Sequence, residues 1–507
     1  MNNYQTWLET ADLVRIALIQ AQVSVSGNLI TRYLSTHPAT VDGIEYLPVV
    51  HDDITVSESI SEEYSASISY GDISIANNSG TYDTWLEDIW VNKAIKIYVG
   101  TLPSPGVSAT LSDFELIFDG VVSDIDSRDR SILNLKLRDK LEKLNTSISE
   151  VLLGNYFKGS ILPDNDPTQN QYKNNLKPLC FGEVHNITPL LSDPTLLEYM
   201  VNLEAVEQII EVCDNGVPVE FITTATEFPI PAGSFRLKSS PAGTITCSVQ
   251  GVKRTVNIAA ATSSSQYLPT ASNTIATILK HFGKQLEYSD LDSASFSALG
   301  TESVGIYLND RTNVLAICQD IAKSCGIVLT VSRTGKIKLV NLTIPASATK
   351  TITEADMFLD SLSLVNKLPV LAGVKLGYAK NWTIQTNLLT YIPQQHKDLL
   401  AVEYLESIQL DATVKSNYAL TTEPEVEGTY LIDKAEADAV ALKKLNLRKQ
   451  PRKMFSLKCV AKHLSLQVGD PVVLQASRFG LGSGVLGLVM STNPNWLRGY
   501  IELEVLV

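Results

Sequence analysis

The chain has 507 residues, of which 44% are hydrophobic and 19% are charged. This length allows about three to four domains, and the composition supplies enough apolar side chains for packed cores and too few charges for disorder. Lysine and arginine number 41 against 55 aspartates and glutamates, which gives a net charge of -14. That sign disfavours a protein whose main task is to bind nucleic-acid phosphates.

The sequence also bears on membrane insertion, secretion and redox chemistry. No apolar run approaches the roughly 18 residues that a bilayer span needs, and the N-terminal segment carries Glu9 and Asp12 and no basic leader. We therefore expect no membrane span, no signal peptide and synthesis in a cytoplasm. The six cysteines follow no CxxC or metal spacing and are expected to be buried free thiols: Cys180, Cys213, Cys247, Cys318, Cys325 and Cys459.

The first third of the chain is typical of β-structure. Residues 54–75 alternate apolar and polar side chains, and this period of two predicts half-buried strands. Further strand-like runs, separated by turn residues, lie at 95–100, 114–122 and 132–137. Such a series predicts an antiparallel barrel or sandwich. Residues 138–150 place Leu141, Leu144 and Ile148 on one helical face, so a short helix is expected to end a first domain, 1–150.

The next segments contain a loop and a smaller β-module. Residues 155–178 are rich in Asn, Asp, Gln and Pro without any period, which predicts a linker or long surface loop over 151–178. Beyond it, Asp214, Asn215 and Gly216 separate two apolar runs. Asn-Gly is a strong hairpin signal because both residues tolerate a positive φ. We expect a small β-rich module over 179–268.

Two helices and a hairpin are predicted in the domain 269–400. Asn273 is the expected cap of a helix that runs through Phe282 and ends at Gly283. Asp310 is the expected cap of a second helix that stops at Gly326, and its apolar stripe is Val314, Ile317, Cys318, Ile321 and Cys325. A hairpin turning at Arg333, Thr334 and Gly335 follows, which makes an α+β unit.

The last segment, 401–507, is expected to hold one helix and a C-terminal β-barrel. A helix over 433–449 begins with a capping box of Asp433 and Glu436, and its expected inner stripe is Ala435, Ala439, Leu442 and Leu445. Its end carries a cationic cluster, which is either a solvated helix end or a docking patch for an acidic partner: Lys443, Lys444, Arg448, Lys449, Arg452 and Lys453. The predicted fold class is α+β and mainly β, with antiparallel barrels or sandwiches and a few short helices.

Motifs for enzymatic chemistry are scarce. None of the six histidines is in HExxH or an i, i+4 pair, and the one histidine-carboxylate clump, His51, Asp52 and Asp53 with Glu45 nearby, favours an exposed polar turn. Residues 482–487 match GxGxxG, but a strand-like run follows them, which indicates a hairpin loop and not a dinucleotide site. We assign no catalytic, cofactor-binding or metal-binding residue.

Paired carboxylates and tryptophans remain as weaker candidates. Carboxylate pairs for glycoside hydrolysis have no fixed sequence spacing, and the candidate groups are Glu62 with Glu63, Asp124 with Asp126, and Glu423 with Glu425 and Glu427. Solvated loops or strand faces are the favoured interpretation of each. Trp85 and Trp90, with Ile89 between them, are expected to pack in a core, because a stacking platform needs several aromatic side chains with hydrogen-bonding partners.

Several stretches of the sequence resemble tail proteins of tailed bacteriophages. In the N-terminal part these are RIALIQAQ, TRYLSTHPATVDGIEYLPVV, SYGDISIANNSGTYDTWLEDIWVNKAIKIYVG, FDGVVSDID and LKLRDKLEKLN. The layout continues in KPLCFGEVHNITPLL and VCDNGVPVEF. Near the C-terminus, a helix followed by RKMFSLKCVAKHLSLQVGDPVVLQ and GLGSGVLGLVM resembles the end of baseplate hub proteins. The likeness covers most of the chain and consists of spaced apolar and turn residues.

The resemblance implies a structural virion protein at the tail tip, a baseplate hub assembled in the host bacterial cytoplasm. It implies a homo-oligomer, a trimer, with these partners: a distal tail or tail tube protein, the tape measure protein, spike or tail-fibre proteins, and genomic DNA that passes without specific binding. An acidic chain suits such a conduit, and the first barrel and residues 271–390 are expected to line it. Contact points with neighbours are expected in the loop 155–178 and the acidic run 423–427.

Two alternatives to a hub stay open at this stage. A receptor- or glycan-binding tail-tip protein would use Trp85, Trp90, Trp382 or Trp496. A cell-wall hydrolase would need a catalytic site that the sequence does not show, although some related hubs carry a fused peptidase or lysozyme module. We expect no enzymatic activity and no cofactor.

Overall fold

The computed structural model describes residues 3–10, 13–51, 54–102, 108–138, 141, 144–163, 165–166, 171–282, 286–386, 388 and 392–507. The helices are α1 (Asn3–Glu9), α2 (Ala271–Thr277), α3 (Ser293–Ala298), α4 (Val314–Ser324), α5 (Gln394–Ala401), α6 (Ala412–Asn417) and α7 (Lys434–Arg448). Short 3-10 turns lie at Asp83–Glu87, Leu111–Asp113, Tyr288–Asp290, Glu354–Asp356 and Ala461–His463, and a π turn at Ile278–Phe282.

Strands make up most of the regular structure. The first seventeen are β1 (Ile16–Val25), β2 (Asn28–Ser35), β3 (Ala39–Val41), β4 (Ile44–Tyr46), β5 (Val56–Ile60), β6 (Ala66–Tyr70), β7 (Ile73–Ala76), β8 (Ala94–Gly100), β9 (Glu115–Asp129), β10 (Ile132–Arg138), β11 (Tyr156–Phe157), β12 (Ser160–Ile161), β13 (Leu179–Ile187), β14 (Leu190–Asp193), β15 (Glu198–Met200), β16 (Val206–Asp214) and β17 (Val217–Pro218). The others are β18 (Phe221–Ile222), β19 (Ser234–Leu237), β20 (Ile245–Val252), β21 (Thr255–Asn257), β22 (Thr262–Ser264), β23 (Gly305–Leu308), β24 (Ile327–Val331), β25 (Ile337–Asn341), β26 (Lys350–Thr353), β27 (Ser363–Lys367), β28 (Gly373–Tyr378), β29 (Leu405–Leu410), β30 (Val426–Gly428), β31 (Lys453–Val460), β32 (Pro471–Gln475), β33 (Val485–Asn495) and β34 (Tyr500–Leu506). The predicted fold class, α+β and mainly β with several sheets and a few short helices, is confirmed.

The chain forms two compact units, each built from separate stretches of sequence. Unit 1 contains 1–142, 328–369 and 451–507, and unit 2 contains 143–327 and 370–450. The division into 1–150, 151–178, 179–268, 269–400 and 401–507 that the sequence suggests stays a prediction. In the structure, the two ends of the chain share unit 1.

Unit 1 contains a barrel made from the N-terminal strands. Its sheet has the order β2-β1-β8-β9-β10-β7. Residues 47–51 bond to both edges of this sheet, because Leu47 N donates to Tyr33 O of β2 and Ala76 N of β7 donates to Val49 O. The sheet therefore closes on itself. The strands predicted at 95–100, 114–122 and 132–137 are confirmed as β8, β9 and β10.

The second sheet of unit 1 joins the two ends of the sequence. Its order is β26-β32-β33-β34-β31-β27, and the β5–β6 hairpin adds to it through β33. Ser491 pairs with Ser59 across this junction, and the Ser57 hydroxyl donates to Asn493 Oδ1 at 2.9 Å. The strand β5 is half-buried as predicted. One of its two partner strands, β33, lies near the C-terminus.

A buried arginine bonds segments of unit 1 that are distant in sequence. Arg333 occupies the turn between β24 and β25 and is 5% exposed. Its Nη1 donates to Leu464 O at 3.0 Å, and its Nη2 donates to Leu466 O and to Thr492 Oγ1. Leu464 and Leu466 follow the 3-10 turn Ala461–His463 and are buried, so the guanidinium supplies donors that buried carbonyls require.

The same arginine also bonds the N-terminal segment. Its Nε lies 3.4 Å from Glu58 Oε1, and the Glu58 side chain is 1% exposed. Its carbonyl oxygen accepts a hydrogen bond from Asp119 N. A carboxylate buried this deeply needs a nearby cation, because an unpaired buried charge is strongly unfavourable.

Unit 2 contains three main sheets. They have the orders β17-β16-β20-β13-β23, β14-β15-β19-β18 and β29-β28-β30. The predicted hairpin at 214–216 is confirmed as the β16–β17 turn. Asn215 and Gly216 have φ angles of 47° and 79°, and a Cβ on Gly216 would lie 3.1 Å from Leu388 Cδ2. Glycine is therefore favoured there by both its backbone freedom and its small size.

Two predicted helices exist but begin elsewhere than expected. Thr270, not Asn273, caps α2, and the Asn273 amide donates to the carbonyls of Arg254 and Leu268. Asn313, not Asp310, caps α4. The α4 stripe is buried as predicted, and Gly326 follows it with a φ of 64°. The expected end of the first helix at Gly283 lies outside the described residues.

The buried face of helix α7 differs from the face that the sequence predicted to be buried. Asp433 caps it as predicted, but Glu436 accepts from Ser303 N instead of completing a capping box. Leu442 is 46% exposed, and Ala435 and Ala439 are also exposed. The predicted stripe is wrong for these three residues and right for Leu445, which is buried. The residues that are buried on α7 are Ala437, Val440, Ala441, Lys444, Leu445 and Leu447.

Neither interpretation of the cationic cluster describes its first two lysines. Lys444 Nζ lies 2.7 Å from Glu427 Oε1, with only 6% of the Lys444 side chain exposed. Lys443 Nζ donates to Cys325 O. Burial lowers the pKa of both lysines, and Glu427 partly offsets this for Lys444. These cations are part of the interior of unit 2.

Two further predictions are corrected or limited by the structure. Residues 145–150 form no helix, although Leu144 and Ile148 are buried; the rest of the predicted helix 138–150 lies mostly outside the described residues. The described part of 155–178 is a loop with one small hairpin, β11–β12. No helix among the described residues is long and apolar enough to cross a membrane.

We expect Arg333→Met to lower the free energy of unfolding of unit 1 by about 3–5 kcal/mol, because it leaves Glu58 buried without a cation. Urea denaturation followed by fluorescence measures this change. The double variant Arg333→Met, Glu58→Met should recover part of the loss, since it removes both charges. Arg130→Met, at an exposed turn, is the control. Equal stability of Arg333→Met and the control would contradict the anchoring role.

We expect Lys444→Met to change the free energy of unfolding by less than about 1 kcal/mol, because a buried cation is replaced by an apolar chain of similar length. Its partner Glu427 is 37% exposed and stays hydrated. Lys444→Glu should be destabilising by about 3 kcal/mol or more, since it buries a second carboxylate beside Glu427. The exposed Lys434→Met is the control, and thermal denaturation compares the three variants. A loss in Lys444→Met as large as in Lys444→Glu would show that the lysine charge is required.

Candidate functional site

A serine-histidine contact in unit 2 is the nearest approach to catalytic geometry. Ser263 Oγ lies 3.0 Å from His281 Nε2 and 2.8 Å from Tyr288 Oη. Arg254 Nη1 lies 3.1 Å from His281 Nδ1, and its Nη2 donates to Glu204 Oε2 at 2.6 Å. Ser263 is exposed on β22, so a substrate could reach it.

The arginine decides the protonation of this histidine. A guanidinium only donates hydrogen bonds, so Nδ1 of His281 accepts and the proton of the neutral ring is on Nε2. Burial and the Arg254 charge both lower the pKa of His281, which favours that neutral ring. Nε2 then donates to Ser263 and cannot remove its proton, as a general base must. The contact is therefore a structural hydrogen-bond chain.

A second cluster in unit 1 brings a cysteine, a histidine and an aspartate together. His463 Nε2 lies 3.5 Å from Asp356 Oδ2, and Cys459 precedes His463 by four residues. All three are buried. Burial and the Asp356 charge raise the pKa of the Cys459 thiol to about 12. A protonated thiol without solvent access is not a nucleophile.

Asp356 is held as a carboxylate by its neighbours. Burial by itself would raise its pKa, but hydrogen bonds from Lys462 and from Thr353 outweigh this effect and lower the pKa to about 2. The Thr353 backbone N–H and hydroxyl both donate to Oδ2 at 2.9 Å. These hydrogen bonds hold the turn after β26, which contains Asp356, against the turn after β31, which contains Lys462.

The histidine, glycine and carboxylate candidates from the sequence do not form a common site. His51 is exposed, and Asp52 and Asp53 lie outside the described residues. Residues 482–484 lie in the turn between β32 and β33, and 485–487 begin β33, so the predicted hairpin is confirmed. Among the described residues, no three His, Cys, Asp or Glu side chains are placed to hold a metal ion.

Several of the candidate carboxylates are neutralised by lysines. Lys136 Nζ lies 2.7 Å from Asp126 and 3.8 Å from Asp124. Lys415 Nζ lies 2.7 Å from Glu423. These ion pairs favour structural roles for Asp124, Asp126 and Glu423 over acid-base hydrolysis.

Three of the four candidate tryptophans are core residues. Trp85, Trp90 and Trp496 are 5%, 1% and 1% exposed. Arg32 lies over Trp85 at 4.2 Å from the ring centroid, while Ile89 is 59% exposed and does not share their face. Trp382 is half-buried and stacks on Tyr430. The core interpretation of Trp85 and Trp90 is confirmed.

The cysteine prediction is confirmed for most of the six. All are free thiols, and five are buried, while Cys213 is partly exposed. Burial raises the pKa of Cys180, Cys318 and Cys247 above the ordinary thiol value. These side chains act as small apolar core residues.

Exposed apolar side chains mark one sheet edge in unit 1. The β2 strand bonds to β1, and its far end bonds to Leu47, but across residues 28–32 no further strand is paired in the described chain. Leu29 there is 58% exposed. Ser24 pairs with both Leu29 and Ile89, so the two exposed apolar side chains lie in one row. Such an edge can pair or pack with another chain.

Unit 2 has an apolar sheet face. Lys375 of β28 pairs with Ile408 of β29 and with Val426 of β30. Ile408 and Val426 are exposed, as is Leu410 on the same edge strand, whereas the neighbouring Ser407 is buried and donates to Asp438 of α7. One face of this sheet thus packs on α7 and the other presents apolar side chains to solvent.

Comparison with known proteins gives matches among solved structures. No protein-family model matches the sequence, and no curated protein matches it. The chain is similar to the 43 kDa tail protein of prophage MuSo2 from Shewanella oneidensis, with 11% identity, a TM-score of 0.43 and coverage of 97% of this chain and 98% of that one. It is also similar to a tail protein from Neisseria meningitidis MC58, with 8% identity, a TM-score of 0.41 and coverage of 97% and 96%. A prophage tail protein from Listeria monocytogenes EGD-e matches at 8% identity and a TM-score of 0.34, with coverage of 90% and 94%. All three are named as tail proteins.

The Asp356 cluster predicts how stability depends on pH. Because the folded pKa of Asp356 is about 2, below the ordinary value of about 3.9, its contribution is present above the unfolded pKa and is lost as the pH falls toward 2. We expect Asp356→Asn to be destabilising at pH 6 and the difference from wild type to shrink between pH 4 and pH 2. Urea denaturation across this range measures it, with the exposed Asp113→Asn as control. A difference that stays constant with pH would contradict the pairing.

Proposed function

We propose that the protein is a non-enzymatic structural component of a bacteriophage tail, a hub at the tail tip present in three copies. The resemblance of its sequence stretches to tail and baseplate hub proteins supports this proposal. The hub would join a distal tail ring or tail tube above to a spike or fibres below, with the tape measure protein as a further neighbour.

The observation that carries the proposal is the exposed apolar row in which Leu29 of β2 and Ile89 lie on either side of Ser24 of β1 in the N-terminal barrel. A closed barrel needs no apolar row on its outer surface for its own stability, and exposed apolar patches mark contact sites. A ring of identical subunits requires such a contact from each copy. We assign a second copy of this chain as the occupant of this edge.

The two alternative functions receive less support from the structure. A glycan-binding surface would present aromatic side chains to solvent, but Trp85, Trp90 and Trp496 are buried. A hydrolase would need a general base, and the histidine nearest to a serine, His281, has the wrong tautomer for that role. The absence of activity is part of the proposal.

The charge of the chain agrees with a DNA conduit. A net charge of -14 disfavours phosphate binding, so genomic DNA could pass without being held. We propose that the N-terminal barrel and residues 271–390 face this channel. A strongly positive channel in the assembled ring would contradict this part of the proposal.

We expect the purified protein to form a trimer with a central opening. Light scattering gives the mass of the particle, and negative-stain imaging of the same fraction shows its shape. Leu29→Lys with Ile89→Lys should shift the mass toward that of one chain, because lysine charges at an apolar contact repel and must be desolvated. Leu442→Lys, on α7 where Leu442 is 46% exposed, is the control.

Two experimental results would contradict the proposed function. A wild-type protein that stays monomeric at every concentration, with an edge variant indistinguishable from it, would overturn the assignment of this edge to a second copy. A cell-wall assay on the same fraction tests the absence of activity, since clearing of peptidoglycan by the pure protein would overturn the non-enzymatic part.

A further inference from the structure

Unit 2 contains a cleft between its five-stranded sheet and helix α5. The cavity has a volume of about 550 Å³. Its floor is the sheet face on which Glu211 of β16 pairs with Ser248 of β20 and Cys213 pairs with Thr246. The opposite face of this sheet packs in a hydrophobic core. The floor of the cleft is therefore the polar face of this sheet, and the opposite face is apolar.

The roof of the cleft is mainly aliphatic, with His396 among its side chains, and part of it also lines a second lobe. Ile392 and, from α5, Leu399 and Leu400 face the polar floor. The second lobe, about 240 Å³, shares the two leucines and adds Tyr404 and Leu405. A ligand that fills both lobes must have a polar end over the floor and an aliphatic part along the leucines.

The roof is held in place by an asparagine pair. The Asn381 amide donates to Leu400 O at 2.9 Å and to Val402 O at 3.0 Å. Its Oδ1 accepts from Asn186 Nδ2 at 2.9 Å, and both asparagines are buried. The end of α5 is thus bonded to β13, so the cleft exists without a ligand. Preformed sites lose less entropy on binding.

Glu211 is the carboxylate that lines the cleft. Among the described residues, neither lobe is lined by lysine or arginine, and the other titratable side chains besides Cys213 and Tyr404 are His185, in both lobes, and His396. His185 Nε2 lies 3.3 Å from Glu183 Oε1, which is outside the lining, and Glu183 also accepts from Gln250. The neighbouring Cys213 adds no charge, because burial and Glu211 raise the pKa of its thiol to about 12. An anionic floor below an aliphatic roof is complementary to a cation on an aliphatic chain.

We propose that this bilobed cleft binds a primary ammonium group on a linear aliphatic chain. The ammonium would lie against Glu211, and the methylene groups would pack between Leu399 and Leu400. A lysine side chain of an approaching protein segment and a free alkylamine share this chemistry. The site is independent of the proposed hub contact, which lies in unit 1.

The test compares three probes of equal length on the full chain: n-hexylammonium, n-hexanol and n-hexanoate. We expect saturable binding of hexylammonium by NMR titration, about threefold tighter than hexanol and tighter again than hexanoate, the size of effect that partly exposed charges give. The preference should fall as salt increases. Equal binding of hexanoate, or no saturable binding of hexylammonium, would overturn the proposal.

Variants separate the two ends of the site. Glu211→Gln should abolish the preference for the ammonium while hexanol still binds, and Leu400→Ala should weaken all three probes. Glu207→Gln is the control, because Glu207 lies on the same strand but is paired with Lys253 at 2.9 Å and lines neither lobe. An ammonium preference that survives Glu211→Gln, or is lost equally in the control, contradicts the assignment.

A peptide arm identifies the natural source of the ammonium. Acetyl-Ile-Lys-Leu-amide is compared with the same peptide containing norleucine in place of lysine. If the lysine peptide binds more tightly than both hexylammonium and the norleucine peptide, the occupant is a segment of a protein. If hexylammonium binds more tightly than the peptide, a free alkylamine is the ligand. Both results support the site, and a norleucine peptide that binds as well as the lysine peptide would overturn it.

Discussion

The buried guanidinium of Arg333 is the interaction on which unit 1 depends. It donates to the carbonyls of Leu464 and Leu466 in the C-terminal segment and forms an ion pair with Glu58 in the N-terminal segment. The main-chain carbonyl of Arg333 also accepts from Asp119 N. Arg333 itself belongs to the middle segment, so one side chain contacts all three stretches of sequence that build the unit. The planar guanidinium directs its N–H donors at buried oxygen acceptors in a fixed geometry. An apolar side chain has no donors for these acceptors.

This arrangement makes the unit dependent on very distant contacts. Ser57 bonds to Asn493 across 436 positions, and β5, which pairs locally with β6, also pairs with β33 near the chain's end. Contacts of this separation are slow to form because the loop-closure entropy is lost before they contribute energy. Unit 2, inserted between these segments, has its own cores and sheets and does not need the chain ends.

The two surfaces proposed for binding lie away from the contacts that histidines make with a serine or an aspartate. His281 contacts a serine and His463 contacts an aspartate, yet Arg254 sets the wrong tautomer in the first case and burial removes access in the second. The exposed row at Leu29 and Ile89 has no reactive group, and the cleft beneath α5 presents Glu211 opposite aliphatic side chains with no acid-base pair established in it. A protein that works through assembly needs surfaces of this kind and not an acid-base pair.

The sequence by itself determined the local features. The period of two at 54–75, the Asn215-Gly216 turn and the stop at Gly326 follow from side-chain alternation and backbone sterics, which act between neighbours. Only the tertiary structure decided which face of α7 is buried, because Glu427 allows Lys444 to lie inside, and which strands pair with β5. The tertiary fold also brings Ser263 to His281, and it brings the strands and the helix around the cleft together. No spacing in the sequence predicts either contact. Pairing between distant segments is set by the summed packing of the whole unit, and that sum is not contained in any local pattern.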